Sequence, residues 1–288
     1  IIESVAYARM HIWNVIYIYW QQSYSLMLLF RSIYQIINFK SLVVTGLSIL
    51  ATWYCIAQEY YAEFPLTLVS IAIIFPVACS INSAFKRREL GLTRLSQCRA
   101  FALGFFRIAM DQTSNAASKE IVTKIKALII RLFVVMKHFL ESEVEDAKPH
   151  EKEMYILIRQ LSQHFGDLRK AGLSGRFVSR MSEHLTRFTA AFEEMKMIFY
   201  YRTPVGLRAY GKVFIYIFPI IYAPYFASVT RNFSAALPHI YDYMIPTFYT
   251  FILMSLENIQ THLENPFDQI GQDDIQIDVE SIDEMLSS

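Results

Sequence analysis

The chain has 288 residues and a net charge of +1, with 54% apolar and only 18% charged residues. Ordinary soluble domains have about 25% charged residues, so the composition excludes intrinsic disorder and argues against a purely soluble protein. The balanced charge gives no global field for binding nucleic acid, and three scattered cysteines exclude a disulfide framework. These values indicate a membrane protein.

The first predicted element is an aromatic, amphipathic helix within residues 1–39, at or entering the membrane interface. Four apolar segments follow that could cross a bilayer, namely residues 42–57, 64–85, 213–229 and 234–259. Prolines interrupt the last two, which packed membrane helices tolerate better than soluble ones do. The alternative is that these segments form the buried core of a soluble all-α protein.

Basic residues set the expected topology of these four spans. Lys86, Arg87 and Arg88 follow the second span, and Arg202 and Arg208 precede the third, whereas the loop between the first two spans has no basic residue. The positive-inside rule therefore predicts that residues 86–211 and both termini are cytoplasmic. The predicted fold class is an all-α membrane protein, with four transmembrane helices per protomer and a cytosolic helical domain.

Amphipathic helical patterns fill residues 86–211. Residues 121–143 place Ile125, Leu132 and Phe139 on one helical face. An exposed charged loop is expected at 141–153, and a second interruption at the glycines of 166–175. Residues 154–165 and 177–199 are predicted to be helical, and 261–288 form an acidic tail.

No catalytic or nucleotide-binding motif is present in the sequence. His239 and Asp242, three residues apart in the fourth predicted span, are the best candidates for chemistry inside a membrane, because ionisable groups at depth usually face a cavity or a partner. Their solvation by lipid headgroups is the alternative. We expect a protein that is not an enzyme.

The second span carries an apolar stripe at helical spacing, which includes Ile71, Phe75 and Cys79. On a single chain such a stripe is usually core. If several copies surround an axis, the same stripe forms an apolar constriction that gates by dewetting.

Five segments resemble motifs of the bestrophin family: residues 5–9 (VAYAR), 31–34 (RSIY), 82–87 (NSAFKR), 203–210 (TPVGLRAY) and 264–267 (ENPF). The resemblance implies a homopentameric channel that passes chloride and other small anions along its five-fold axis. It implies a neck lined by Ile71, Phe75 and Cys79, with Cys79 where a phenylalanine is usual. It also implies a cytosolic aperture within 173–178, for which the candidates are Leu173, Arg176 and Phe177.

The same resemblance implies calcium as a cofactor. The expected ligands are the backbone oxygens of Ala6 and Asn265, with the carboxylates of Asp273 and Asp274. Residues 268–274 (DQIGQDD) depart from the unbroken acidic run of the animal members, which leaves calcium binding open. A non-conducting membrane scaffold, a membrane enzyme using His239 and Asp242, and a sensor domain fused upstream are the other hypotheses.

Overall fold

The computed structural model describes residues 38–63, 66–113, 116–202, 204–234, 243–269 and 274–287. These described residues form helices almost throughout and contain no strand, which confirms the all-α fold class. The helices are α1 Phe39–Ala57, α2 Leu66–Asp111, α3 Ala116–Glu141, α4 Ala147–Lys170, α5 Gly175–Tyr200, α6 Val205–Ile221, α7 Ala223–Ser234, α8 Met244–Glu264 and α9 Val279–Ser287. The predicted N-terminal helix lies outside the described residues, apart from its last positions.

The chain divides into two compact units. The first consists of Ile1–Val77 and Ala209–Ile259, and the second of Ala78–Arg208 and Gln260–Ser288. By length and composition, two stretches in the described residues are apolar enough to cross a membrane: α1, and a window within Gly175–Ile221. Since charged residues populate α5, the apolar part of that second stretch falls on α6.

In the first unit, α1 turns small side chains inward and large ones outward. Its buried positions repeat every three or four residues and are Ser41, Val44, Ser48, Thr52 and Cys55. Its exposed positions include Leu42, Leu50 and Trp53, each more than half exposed. Small residues at helix contacts and large apolar residues outside are typical of a membrane helix, because lipid rather than water covers the outer face.

The third predicted span, residues 213–229, is split in the structure. Helix α6 ends at Ile221 and α7 begins at Ala223, between two prolines that cannot donate a backbone hydrogen bond. The Ser48 hydroxyl donates to the carbonyl of Pro219 at 3.1 Å, so α1 satisfies a polar group beside the break. Helix α7 then runs through the turn expected at 230–233, which corrects that expectation, and it packs on α1 at Cys55, Ala223 and Ala227.

In the second unit, α3, α4 and α5 pack with the later part of α2 around a core rich in phenylalanine. The predicted apolar face of α3 is buried, with Ile125, Leu132 and Phe139 at 0–1% exposure. The largest side chains of this core include Phe105, Phe133, Phe165, Phe188 and Phe192. Aromatic pairs such as Phe133 and Phe188, whose rings meet edge to face at 5.9 Å, contribute beyond the area they bury.

Two interruptions of this unit are shorter than the sequence indicates. The charged loop expected at 141–153 ends at Asp146, because buried Ala147 and Met154 hold α4 against the core. Pro149 falls in the first turn of that helix, where the missing N–H costs nothing. The second break is confined to residues 171–174, where Gly172 adopts φ of 107°, a conformation that side chains disfavour.

Candidate functional site

Helix α2 exposes the stripe that the sequence singles out. Ile71 is 59% exposed and Phe75 67% exposed, and Cys79 is exposed as well. A separation of four residues places successive members one turn apart along the same face of a helix. In the single chain this stripe is therefore not core, and the usual interpretation of such a pattern does not hold here.

The opposite side of α2 is the buried one. Ile73, Val77, Ser80 and Ala84 are each at most 2% exposed, again at spacings of three and four. The helix thus has one face that the chain itself covers and one apolar face that the described residues leave open. Near the end of the open face, Asn82 and Ser83 are exposed too.

Pro76 interrupts the hydrogen bonding of α2 in the middle of this stripe. A proline removes the N–H that would bond to the carbonyl four residues earlier, which is that of Ala72. The Tyr210 hydroxyl of α6 donates a long hydrogen bond of 3.5 Å to this carbonyl oxygen. Tyr210 therefore compensates the group that the proline leaves without its helical partner.

In the second unit, a buried carboxylate joins the end of α8 to two arginines. Glu264 has a side chain only 10% exposed, and its Oε2 accepts from Nη1 of Arg208 at 3.0 Å. Arg87 of α2 donates from Nη2 to the backbone oxygen of Glu264 at 2.9 Å. Glu264, which follows the fourth predicted span, therefore contacts Arg87 after the second span and Arg208 before the third.

Charge crowding at this junction is seen in the pKa of Arg87. Burial lowers that pKa, Glu264 opposes the shift, and the neighbouring guanidinium groups of Arg202 and Arg208 lower it further. Arg202 and Arg208 thus lie close enough to Arg87 to oppose its positive charge. In the sequence, Arg87, Arg208 and Glu264 fall in three separate motifs, residues 82–87, 203–210 and 264–267, and nothing local indicates that these motifs meet.

Of the predicted aperture residues, Leu173 lies in the break before α5, and Arg176 and Phe177 lie in the first turn of that helix. Leu173 is 7% exposed and belongs to the core, Phe177 is half-buried against that core, and Arg176 is exposed. Of the three, Arg176 alone is exposed. The aperture itself stays a prediction.

The expected calcium ligands are only partly described. Ala6 and Asp273 lie outside the described residues; Asn265 and Asp274 are half-buried in the segment after α8. There, the Gln269 side-chain amide donates to the carbonyl of Ile275 at 3.0 Å and, more weakly, to that of Phe267 at 3.4 Å. These two carbonyl oxygens accept hydrogen bonds from an amide and do not face a shared space for a cation. The described part of this loop therefore does not by itself form a cation site.

His239 and Asp242 also lie outside the described residues. Among the residues that are described, no three His, Cys, Asp or Glu side chains come together as a metal site. All three cysteines fall in described segments; Cys55 and Cys98 are buried and Cys79 is exposed. Burial strongly raises the pKa of the Cys98 thiol, so that group is held neutral.

Comparison with known proteins gives a match in structure alone. No family model matches the chain, and no curated protein matches it in sequence. A variant of the bacterial bestrophin homologue from Klebsiella pneumoniae superimposes with a TM-score of 0.72 at 14% identity, over 86% of this chain and 97% of that one. A second structure of that homologue gives a TM-score of 0.70 at 15% identity, over 86% and 96% of the two chains.

A further solved structure, described as a membrane protein, matches with a TM-score of 0.70 at 15% identity, over 89% of this chain and 97% of that one. The matches cover nearly the whole length of the solved chains, so the likeness concerns the complete architecture rather than a shared helical bundle. The sequence motifs and the superposition point to the same fold. The chain therefore has the bestrophin fold.

Proposed function

We propose that the chain forms a homo-oligomeric anion channel, in which the exposed stripe of α2 lines a neck on the symmetry axis. The observation that carries the proposal is the exposure of Ile71, Phe75 and Cys79 on a helix whose other face is buried. The bestrophin fold supports it, because the motif resemblance implies a pore at this helix. The same resemblance suggests five subunits.

A lipid-facing role for the stripe is the nearest competing explanation. The exposed positions of α1 from Leu42 to Trp53 are large and apolar, as at Leu50 and Trp53. The stripe of α2 instead passes from Ile71 and Phe75 to the smaller and more polar Cys79 and Asn82. This gradient suits a passage that ends in water better than it suits a lipid surface.

The membrane topology is part of the proposal. Two apolar stretches, α1 and the one containing α6, support an integral membrane protein. Four spans per protomer and cytoplasmic termini follow from the sequence and the positive-inside rule.

An apolar neck selects by the cost of removing water from the ion. Since the predicted neck residues Ile71, Phe75 and Cys79 are apolar or only weakly polar, we expect weakly hydrated anions such as iodide and nitrate to pass more readily than chloride. Reversal potentials measured with chloride on one side and iodide on the other test this order. An unchanged reversal potential on exchanging the two anions contradicts it.

Anion flux from liposomes containing the purified protein is the first test. Flux above that of empty liposomes supports the channel, and no flux supports a non-conducting scaffold instead. The same assay with and without micromolar calcium tests the calcium proposal, with Asp274→Asn as the ligand variant. A calcium-stimulated flux that Asp274→Asn reduces supports a clasp, and a flux indifferent to calcium leaves the pore standing without it.

A further inference from the structure

Two histidines meet where α3 ends and α4 begins. The ring centres of His138 on α3 and His150 on α4 are 5.9 Å apart, and the ring planes are inclined by 31°. His138 is exposed and His150 is half-buried, so solvent reaches the pair. In the part of the chain that the structure describes, no hydrogen bond or ion pair engages either imidazole, whereas His164 lies 3.4 Å from a carboxylate oxygen of Asp167.

The packing of the two helices holds this pair of histidines in place. Phe139 of α3 and Ala147 and Met154 of α4 are fully buried close to the two histidines in the chain. Arg131 of α3 and Glu153 of α4 join the same helices by an ion pair of 2.7 Å. The backbone positions that carry the imidazoles are therefore set by contacts in which the imidazoles take no part, which is the condition for a pre-organised site.

The separation of the two rings suits a shared metal ion. A zinc-bound imidazole nitrogen lies about 2.0–2.1 Å from the metal, which places the ring centre about 3.2 Å from it. Two imidazoles on one metal therefore have centres about 5–6 Å apart for bond angles between about 105° and 140°. The observed 5.9 Å lies at the wide end of this range. Imidazole is the commonest protein ligand of metals and suits Zn²⁺, Cu²⁺ and Ni²⁺.

The loop between the two helices gives this corner of the second unit a negative charge. Residues 141–146 (ESEVED) contain four carboxylates and no basic side chain. Three of these carboxylates, those of Glu143, Glu145 and Asp146, are exposed and form no ion pair with the residues that the structure describes. Exposed charges of one sign raise the local concentration of ions of the opposite sign. Carboxylates alone favour Ca²⁺ and Mg²⁺, whereas two imidazoles add a preference for transition metals.

We propose that His138 and His150 form a binding site for a divalent transition metal ion such as Zn²⁺. No third His, Cys, Asp or Glu side chain joins the pair within the described segments, so water completes the coordination. With two protein ligands the site is open to solvent, unlike a structural zinc centre with its four ligands. The bound ion ties the end of α3 to the first turns of α4. The site lies wholly within the second unit and does not depend on the proposed channel.

Thermal unfolding of the full chain in detergent tests the site without requiring a conducting channel. Cys79→Ser serves as the background protein, because an exposed thiol can also bind Zn²⁺. Zn²⁺ should raise the Tm of this protein in a saturable way, whereas Ca²⁺ and Mg²⁺ at the same concentrations should not. No rise with Zn²⁺ would overturn the inference, and an equal rise with Ca²⁺ or Mg²⁺ would overturn it by assigning the effect to the acidic loop.

Histidine variants distinguish a shared site from separate single histidines. His138→Gln and His150→Gln should each weaken the apparent Zn²⁺ affinity at least about tenfold, since even changes to groups that support a metal ligand cost about 10–100-fold. The double variant should lose little more than either single variant, because removing one ligand already breaks the chelate. His262→Gln, which removes a half-buried histidine at the end of α8, is the matched control and should leave the affinity unchanged. Losses that multiply in the double variant, or a loss in His262→Gln as large as in His138→Gln, would overturn the inference.

Discussion

Replacing Phe75 by alanine separates a pore-lining role from a structural one. Phe75 is 67% exposed in the chain, so only about a third of its surface is covered. Burying a whole phenylalanine side chain contributes about 1.5–3 kcal/mol, so the covered third contributes about 0.5–1 kcal/mol. Phe188 is 1% exposed in the core of the second unit, and its replacement should cost about 3–5 kcal/mol through the cavity it leaves.

Both variants are compared with the unaltered protein by thermal unfolding in detergent and by flux from liposomes. In a chain of this size 1 kcal/mol corresponds to about 2 °C in Tm, so Phe75→Ala should lower the Tm by no more than about 2 °C and Phe188→Ala by about 6–10 °C. Phe75→Ala should also raise flux per channel and reduce the preference for iodide over chloride, because a wider neck strips less water from the ion.

The result that would refute this reasoning is a Phe75→Ala protein destabilised as much as Phe188→Ala, with unchanged flux per folded channel. Phe75 would then be packed against another copy or another segment rather than facing an open axis. A Phe188→Ala protein that conducts normally per folded channel is the expected control result, since that side chain lies away from the stripe.

Three further predictions concern other parts of the chain. A negatively charged methanethiosulfonate reagent should block flux by modifying Cys79, the one exposed cysteine, and Cys79→Ser should conduct but resist the block. Burial raises the pKa of Glu193, but hydrogen bonds from Lys196 and Tyr155 outweigh it and lower that pKa overall. The ionised carboxylate therefore contributes to the free energy of unfolding at neutral pH, and this contribution is lost as the pH falls below about 4.3. In Glu193→Gln, the Tm should fall less steeply as the pH is lowered through this range. Gly166→Ala should stabilise α4 by about 1 kcal/mol, because alanine favours a helix over glycine and a Cβ at this position meets no other atom within 4 Å. Gly91→Ala should not stabilise α2, because its new Cβ would lie 2.8 Å from Cδ1 of Ile275. The Tm values of the two variants measure the difference.

The sequence predicts the helical class and most helix positions, because these follow from local periodicity. Amphipathic spacing in α3 identifies the face that is buried in the structure, with Ile125, Leu132 and Phe139 on it. The errors occur where local signals compete with packing. The charges near residue 150 indicate a loop, yet two buried side chains, Ala147 and Met154, extend α4 through them.

The break between α6 and α7 illustrates the same limit. Four prolines in residues 213–259 predict irregular helices but not the position of the interruption. That position depends on whether a neighbouring group satisfies the carbonyl freed there, and Ser48 of α1 does so for Pro219. Such a contact joins residues 171 positions apart and leaves no local pattern in the sequence.

The candidate site can also be predicted only in part from the sequence. The spacing of Ile71, Phe75 and Cys79 is visible in the sequence, but the same spacing describes a core stripe and a pore stripe equally well. The burial of Ile73 and Val77 and the exposure of Ile71 and Phe75 show that the stripe is not core in the single chain, and its role in a pore is the proposal made above.

Glu264 shows how one buried carboxylate can determine the local architecture. A carboxylate at the C-terminus of a helix is opposed by the helix dipole, and its burial adds a desolvation cost. Arg208 pairs with the side chain while Arg87 satisfies one of the carbonyls that every helix end leaves open. Because one residue requires both arginines, α2, α6 and α8 are held together at the point where the proposed spans reach the cytosol.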